Sequence, residues 1–192
     1  MNTPQPESEL CLLAARESLS PQWQQNIWRV ERGALRIDSA VAGDAGHFMR
    51  LALPGDVIGV EQWVGTDDRL SFRALTEVSL TPVTASGSEM MQVLMETVVV
   101  AHQRCREVVS LRTGPVSQRV KTLLLMFADS VSPEATRGSD IALPNLSDMA
   151  DILDAAPETV SGCSAACVSL IFCRTASHTG RALAAWHCAR RR

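Results

Sequence analysis

Thr159 and Ser161 carry hydroxyl groups that could donate hydrogen bonds to nucleic-acid phosphates. They belong to the stretch LSDMADILDAAPETVS, residues 146–161, which predicts two short helices joined by a turn of small residues. Ser147 is a good N-cap for the first helix, and the apolar residues that follow it fall at helical spacing. Pro157 suits the first position of the second helix, where the missing N–H has no consequence. The stretch therefore predicts a helix-turn-helix, a motif that places its second helix in the major groove of DNA.

Upstream of this stretch, the sequence predicts mainly β-structure. Residues 1–25 are expected to form a short helix with frayed ends. The segment NIWRVERGALRIDS, residues 26–39, has alternating runs on either side of Gly33, which predicts a hairpin with a tight turn. Further short strands are expected at residues 48–53, 57–60 and 71–83. Several short strands at this close spacing favour a small β-roll or barrel.

From Ser88 the apolar residues follow a helical period. Residues 88–112 predict a helix of about 37 Å, at roughly 1.5 Å per residue. This helix is apolar on more than one side, so one stripe can pack on the β-domain while another packs on a partner chain. The predicted dimerisation residues are Met91, Leu94, Met95, Val98, Cys105 and Val108. A Thr-Gly-Pro break at residues 113–115 predicts a hinge, followed by a helix at residues 116–128 and a polar loop at residues 129–142.

The charge of the chain changes abruptly near its C-terminal end. Residues 1–161 hold 13 basic and 21 acidic residues, whereas residues 162–192 hold five arginines and no acidic residue. Four of the six cysteines also lie in these last 31 residues. The sequence has no run of 18 apolar residues that could span a membrane, and its polar N-terminal segment is unlike a signal peptide. We therefore expect a cytoplasmic protein of one or two small domains, without a disulfide framework.

The order of β-roll, long helix, hinge and helix-turn-helix resembles the CRP/FNR family of bacterial transcription regulators. IWRVERGALRIDS followed by LALPGDVIGVEQ is similar to the family's barrel, and RTGPVSQRVKTLLLMFA is similar to its linker and the first helix of its DNA-binding domain. ETVS is similar to the opening of its recognition helix. The resemblance implies an α+β fold. Its parts are a shortened β-roll effector domain at residues 1–87, a dimerisation helix and hinge at residues 88–114, and a helix-turn-helix domain at residues 115–192 with an aberrant tail from residue 162.

The resemblance also implies a function and partners. A homodimer would bind a two-fold symmetric site in double-stranded DNA, with one recognition helix in each half-site, and RNA polymerase is a further candidate partner. The DNA-binding residues implied are Ser147, Pro157, Glu158, Thr159 and Ser161. Base reading would rest on Glu158, Thr159 and Ser161. In the family an arginine follows directly where this chain has Gly162, so sequence-specific binding is expected to be impaired.

The effector site that the resemblance implies is incomplete. The candidate effector-binding residues are Gly59, Glu61, Arg69 and Arg73. Cyclic-nucleotide binders use a Gly-Glu pair for the ribose and an Arg-Ser pair for the phosphate, but here Val60 separates the first pair and no serine adjoins Arg69. Cyclic-nucleotide binding is therefore not expected, and the effector is unidentified. Cys11 alone cannot hold an iron–sulfur cluster, so no cofactor is expected.

The last 31 residues have three open interpretations. Shifting the frame of GC-biased codons for GCSAACVSLIFC yields R-LLSRLRQSDLL, which restores the arginine and a leucine-rich helix, so one interpretation is a frameshift product. A divergent helix is the second, because Cys163, Cys167 and Leu170 share one helical face. Zinc binding by the cysteines and histidines of the tail is the third. Their spacing matches no standard zinc pattern, so no metal site is expected.

Two other classes of function are open. One is a sensor and dimerisation module without specific DNA binding, able to form inactive heterodimers with an intact relative. The other is an enzyme of the small-barrel cupin type, which needs clustered histidine and carboxylate ligands on strands. His47 is the only histidine in the predicted β-region, so we do not expect an enzyme.

Overall fold

The computed structural model describes residues 10–21, 23, 26–40, 46–63, 69–129 and 143–164. Along these residues, short strands come first and helices follow. The strands are β1 Cys11–Leu13, β2 Trp28–Arg32, β3 Leu35–Ala40, β4 His47–Ala52, β5 Val57–Ile58, β6 Arg69–Ala74 and β7 Val78–Pro82. A 3-10 turn at Val60–Trp63 follows β5, and the helices are α1 Gly87–Arg112, α2 Val116–Asp129 and α3 Leu146–Ile152. Residues 157–164 are helical as well.

The strands form two antiparallel sheets that enclose a first hydrophobic core. One sheet has the order β1-β7-β2-β5, and the other has the order β4-β3-β6. Alternation along the strands turns Val30 and Leu80 of one sheet and Leu35 and Ile37 of the other into this core, where all four are fully buried. The predicted β-roll and the α+β fold class are confirmed.

Gly33 joins the two sheets, and the hairpin predicted around it is wrong. β2 pairs with β5 and β7, whereas β3 pairs with β4 and β6. Gly33 has a φ of +85°, and a Cβ built on it would lie 2.0 Å from the carbonyl oxygen of Glu77. A tight turn between two alternating runs has the same local pattern in a hairpin and in a crossover between sheets. The local sequence therefore does not show with which strand each of the two runs pairs.

Residues 10–21 form strand β1, a turn at residues 15–16 and a β-bridge from Ser18 to Arg73, so the helix predicted there is wrong for this part of the chain. β1 pairs with β7, and the backbone N–H of Leu19 donates to the carbonyl oxygen of Phe72 at 2.8 Å. These pairings bring Leu13 and Leu19 into the first core. The edge strands of both sheets have backbone groups that need hydrogen-bonding partners, and the N-terminal segment supplies some of them. The spacing of leucines within the segment does not indicate this pairing.

The remaining strands and helices lie close to their predicted positions. β5 is shorter than predicted, because Gly59 at a φ of +92° turns the chain into the 3-10 turn. Asp129 belongs to α2, and the rest of the polar loop predicted at residues 129–142 lies outside the described residues. No helix among the described residues is both long and apolar enough to cross a membrane.

A second hydrophobic core lies between the β-roll and the helices. The β-roll contributes Phe48, Leu51 and Leu75, among others, and α1 contributes Leu111, which is its one buried residue. The contributions from α2, α3 and the residues after them are Val120, Leu123, Leu124, Phe127, Met149, Ala150, Ile152, Leu153 and Val160. The helix-turn-helix therefore packs directly on the outside of the β-roll.

Candidate nucleic-acid interface

Asn145, and not Ser147, caps the first helix of the helix-turn-helix. Its side-chain oxygen accepts the backbone N–H of Asp148 at 2.8 Å, and its side-chain nitrogen donates to the Asp148 carboxylate at 2.6 Å. Ser147 is exposed in the first turn of α3, so its prediction as the N-cap is wrong. Asparagine and serine cap almost equally well, and a sequence with both near a helix start does not distinguish them.

The turn after α3 is held by a residue from another helix. Asp154 adopts a φ of +49°, and the N–H of Ala155 donates back to the carbonyl oxygen of Ala150 at 3.0 Å. Arg119 of α2 donates to the carbonyl oxygen of Leu153 at 2.5 Å. This contact satisfies a carbonyl at the helix end and fixes α2 against the turn. Residues 153–156 thus form the tight connection that the small residues predict.

The helix at residues 157–164 presents its predicted DNA-contacting side chains to solvent. Pro157, Glu158, Thr159 and Ser161 are all exposed, whereas Val160 is fully buried in the second core. One residue in the first turn therefore anchors the helix while its neighbours face outward. The structure brings these four residues together on one exposed turn, and it places Ser147 separately on the first turn of α3.

Gly162 lies in this helix with open space around it. A Cβ built on Gly162 would have no heavy atom within 4 Å, and the residue itself is exposed. A long side chain at position 162 would extend into solvent beside Glu158, four residues earlier on the same face. The glycine is therefore not required by packing.

Of the four candidate effector-binding residues, the structure joins two. The Glu61 carboxylate accepts the backbone N–H of Gly59 at 2.8 Å and also pairs with the buried Arg50. Arg50 was not among the predicted site residues, and its only signal in the sequence is a charged residue between the apolar residues of β4. The Arg69 side chain lies outside the described part of the chain. Glu61 is thus engaged by the protein's own groups.

Arg73 faces the helix-turn-helix and not Glu61. It donates to both carboxylate oxygens of Asp148 in α3, at 2.5 and 3.3 Å, and hydrogen bonding to Asp148 holds the pKa of Arg73 above its usual value. Arg36 of β3 pairs with Asp38 and with Asp151 of α3. Sequence reasoning missed Arg36 and both α3 aspartates. Alternation along β3 indicates that Arg36 faces away from the β-roll core, but not what lies there.

Most of α1 is uncovered in the single chain. Met91, Met95 and Val98 are 62%, 61% and 65% exposed, and Cys105 is exposed too. The other two predicted dimerisation residues, Leu94 and Val108, are partly buried, Val108 against the second core. The stripe predicted for dimerisation is therefore largely open to solvent.

Arg104 ties α1 to the β-roll on another side of the helix. Its guanidinium pairs with the Asp56 carboxylate through two contacts of 2.8 and 2.9 Å, and Asp56 also accepts the backbone N–H of Leu53. Burial lowers the pKa of Arg104, but hydrogen bonds to Asp56 and Glu107 outweigh it and leave that pKa raised. Asp56 belongs to the Pro-Gly-Asp turn between β4 and β5, so α1 is linked directly to this turn.

The described residues contain no cluster of three or more histidine, cysteine or carboxylate side chains that could hold a metal ion. Cys163 is the one zinc candidate of the tail that lies among them, and it packs at the margin of the second core. The other cysteines and the histidines of the tail lie outside the described residues, as does the segment expected to be out of frame beyond residue 164.

No family model matches this chain, and no curated protein matches it. Solved structures do match over most of its length. A CRP-family transcriptional regulator from Thermus thermophilus aligns with a TM-score of 0.62 and 21% identity over 84% of this chain and 86% of that one. FixK2 from Bradyrhizobium japonicum aligns with a TM-score of 0.60 and 21% identity over 86% of each chain. A second Thermus thermophilus protein, a CRP/FNR-family regulator, has a TM-score of 0.54 and 20% identity over 81% of this chain and 83% of its own. At these identities the likeness shows the fold.

Proposed function

Because the chain has the fold of CRP/FNR regulators, we propose that it is a DNA-binding transcription regulator, acting as a homodimer on a two-fold symmetric promoter site. The observation that carries the proposal is the exposed first turn of the helix at residues 157–164. Glu158, Thr159 and Ser161 face solvent there, while Val160 anchors the helix from behind. Entry of a helix into the major groove needs such a row of free hydrogen-bonding groups on a supported helix.

The side chains of this turn have distinct roles in the proposed complex. Glu158 accepts a hydrogen bond from a base edge, and the amino group of cytosine is the donor that suits a carboxylate. Thr159 and Ser161 donate to base edges or to phosphates. Ser147 of α3 is exposed and donates to a backbone phosphate. Pro157 opens the helix and sets its direction.

The homodimer forms through α1 in this proposal. Met91, Val98 and Cys105 are spaced by seven residues, Leu94 and Val108 lie three residues after Met91 and Cys105, and Met95 lies four residues after Met91. Three of these side chains are more than 60% exposed in the single chain, so a second α1 packed on the stripe would remove much apolar surface from water. The same contact would relate the two recognition helices by a two-fold axis, as a symmetric site requires.

Gly162 weakens base reading in the proposed regulator. The missing guanidinium deprives the complex of a bidentate contact to guanine, which is worth about 1–3 kcal/mol of discrimination at one base pair. Contacts to phosphates do not depend on this residue, so binding that is weak, sensitive to salt and little dependent on sequence is expected to persist.

A substitution at position 162 tests the proposal. Gly162→Arg fits without a clash and should restore discrimination of about tenfold or more at one base of each half-site. Gly162→Ala is the matched control, because it supplies the same gain in helix propensity without the guanidinium. Selection from a randomised duplex library, followed by gel shifts across a salt series, measures both variants. A two-fold symmetric consensus is expected for Gly162→Arg and not for Gly162→Ala.

Two results would contradict parts of the proposal. Tight sequence-specific binding by the unaltered chain would show that readout is not impaired. Failure of both variants to shift any duplex at low salt would exclude DNA binding by this surface. Light scattering on the same samples reports dimerisation independently of DNA.

A sensor and dimerisation module is the second candidate function, and Gly162 together with the open stripe on α1 favours it. Such a chain would pair with an intact relative and remove it from DNA. Titrating this chain into a gel shift of an intact regulator would reduce the shifted band if heterodimers form. A band that is unaffected by excess chain would exclude this function.

We do not propose a cyclic nucleotide as the effector. Glu61 is engaged by Arg50 and by the backbone of Gly59, and Arg73 is engaged by Asp148. A ligand at this place would have to displace contacts that the protein already makes. The proposal is for a regulator and not for an enzyme.

A further inference from the structure

Two arginines of the β-roll meet two aspartates of the helix-turn-helix. Arg36 of β3 and Arg73 of β6 are directly opposite each other in the register of the sheet. Asp148 and Asp151 are three residues apart in α3, so their side chains lie on one face of that helix. Arg73 pairs with Asp148, and Arg36 pairs with Asp151. The four groups form two parallel ion pairs across the boundary.

The spacing of the charges is matched on the two surfaces. Opposed residues on antiparallel strands have Cβ atoms about 4.5–5.5 Å apart, and helix residues three apart have them about 5–6 Å apart. When the surfaces are separate, α3 carries two carboxylates side by side, which is unfavourable in a helix. The sheet carries two neighbouring guanidinium groups, of which that of Arg36 already pairs with Asp38. When α3 docks, every charge gains an opposite neighbour. A shift of α3 by one turn would lose this match.

The surroundings of the ion pairs exclude water from part of the contact. The side chains of Arg36 and Asp148 are only 6% and 9% exposed, whereas that of Asp151 is 61% exposed. The ring of Phe48 lies 5.6 Å from the Arg36 guanidinium carbon and 5.4 Å from that of Arg112. Arg112, at the end of α1, also donates to the carbonyl oxygen of Asp151 at 3.2 Å. Partial burial strengthens charge–charge interactions relative to those at an exposed surface.

We propose that Arg36, Arg73, Asp148 and Asp151 form an electrostatic latch that holds the helix-turn-helix in one orientation on the β-roll. The second apolar core favours docking as such, since apolar contact is not directional. The paired charges select the orientation. When the latch opens, the helix-turn-helix reorients about residues 113–115, where Gly114 has a φ of +84° between α1 and α2. In a dimer, this reorientation would change the distance between the two recognition helices. That consequence rests on the proposed function, whereas the latch itself does not.

Hydrogen exchange on the full chain, without DNA, tests the latch. Arg73→Gln should raise the exchange of α3 amides on the order of tenfold, the loss expected for a hydrogen bond to a charged partner. Asp148→Asn should do at least the same, because the Asp148 carboxylate also accepts the side-chain N–H of Asn145. The double variant should be no worse than Asp148→Asn alone, because that substitution already removes the ion pair with Arg73. Amides of β2, in the first core, should not change. Arg32→Gln is the matched control, because Arg32 is an exposed arginine at the end of β2.

Salt and a conservative variant complete the test. Sodium chloride at about 0.5 M should raise α3 exchange only slightly, and to a similar extent in the unaltered chain and in Arg73→Gln, because the pair of Arg73 with Asp148 is partly buried and the salt acts mainly on the exposed Asp151. Arg73→Lys keeps the charge, so the α3 amides should retain part of their protection from exchange. This variant also tests the latch if Arg73→Gln does not fold. Unchanged α3 exchange in Arg73→Gln, an equal rise in β2, or additive single-variant effects would each overturn the latch.

Discussion

Among the glycines that the structure describes, Gly33 has the least room for a side chain. A Cβ at this position would lie 2.0 Å from the Glu77 carbonyl oxygen, and its φ of +85° is strained for any other residue. The crossover between the two sheets therefore depends on the absence of a side chain. Gly55 has a similar φ of +91°, but a Cβ there would meet nothing within 4 Å.

This difference predicts unequal costs for two alanine substitutions. Gly33→Ala should lower the free energy of unfolding by about 2–5 kcal/mol, through backbone strain together with overpacking. Gly55→Ala should lower it by about 1–2 kcal/mol, because only the backbone strain applies. Urea unfolding of both variants measures the difference. Equal costs would mean that the strands around Gly33 adjust to a methyl group.

Among the elements, α1 has the largest unsatisfied apolar surface in the described part of the chain. Its stripe of heptad-spaced residues needs a partner, and the proposed partner is the same helix of a second copy. We expect Val98→Glu to shift the protein from dimer to monomer, since two carboxylates would face each other across the seam. Light scattering across a concentration series measures this change.

Two comparisons make the α1 experiment specific. Ser110→Glu adds the same charge to an exposed position of the helix, four residues after Arg106, and should leave the dimer intact. The Cys105 thiol is exposed in the single chain and would be covered in the proposed dimer. Its alkylation should therefore be faster in Val98→Glu, where the dimer is lost. Cys11 should react slowly in every variant. Burial, with a smaller contribution from Glu17, raises the pKa of the Cys11 thiol and so reduces its thiolate at any given pH. A dimeric Val98→Glu would contradict the seam.

Across the whole molecule, the second core unites parts that a domain division would separate. Residues 1–87, 88–114 and 115–164 all contribute to it, and Leu111, the contribution of α1, is 1% exposed. We therefore expect the β-roll and the helix-turn-helix to unfold in one transition. Leu111→Ala should lower the free energy of unfolding by about 2–5 kcal/mol and keep the transition single.

Two spectroscopic probes can check this cooperativity. Tryptophan fluorescence reports mainly on the β-roll, because three of the four tryptophans lie within residues 1–87, whereas far-UV circular dichroism reports mainly on the helices. Coincident midpoints are expected for the unaltered chain and for Leu111→Ala. Leu12→Ala, at a side chain that is 67% exposed, is the control and should change little. Loss of the helical signal at lower denaturant than the fluorescence change would contradict a shared core.

The amino-acid sequence by itself determined the local elements and the faces they bury. Alternation and turn residues located the strands from β2 onward, the 3.6-residue period located α1, α2 and α3, and the turn before Pro157 identified the helix-turn-helix. It also predicted that Thr159 and Ser161 would lie near the start of the second helix, where both are exposed. Such patterns succeed because they arise from geometry within one element.

Only the tertiary structure decided what each surface meets. It placed Gly33 at a crossover between sheets, paired Cys11–Leu13 with β7 and Ser18 with β6, and set Arg73 against Asp148 instead of an effector. Each of these depends on groups far apart in the chain. Periodicity shows which face of a strand or helix is apolar or charged, but the partner of that face is chosen by long-range hydrogen bonding and charge matching once the chain has folded.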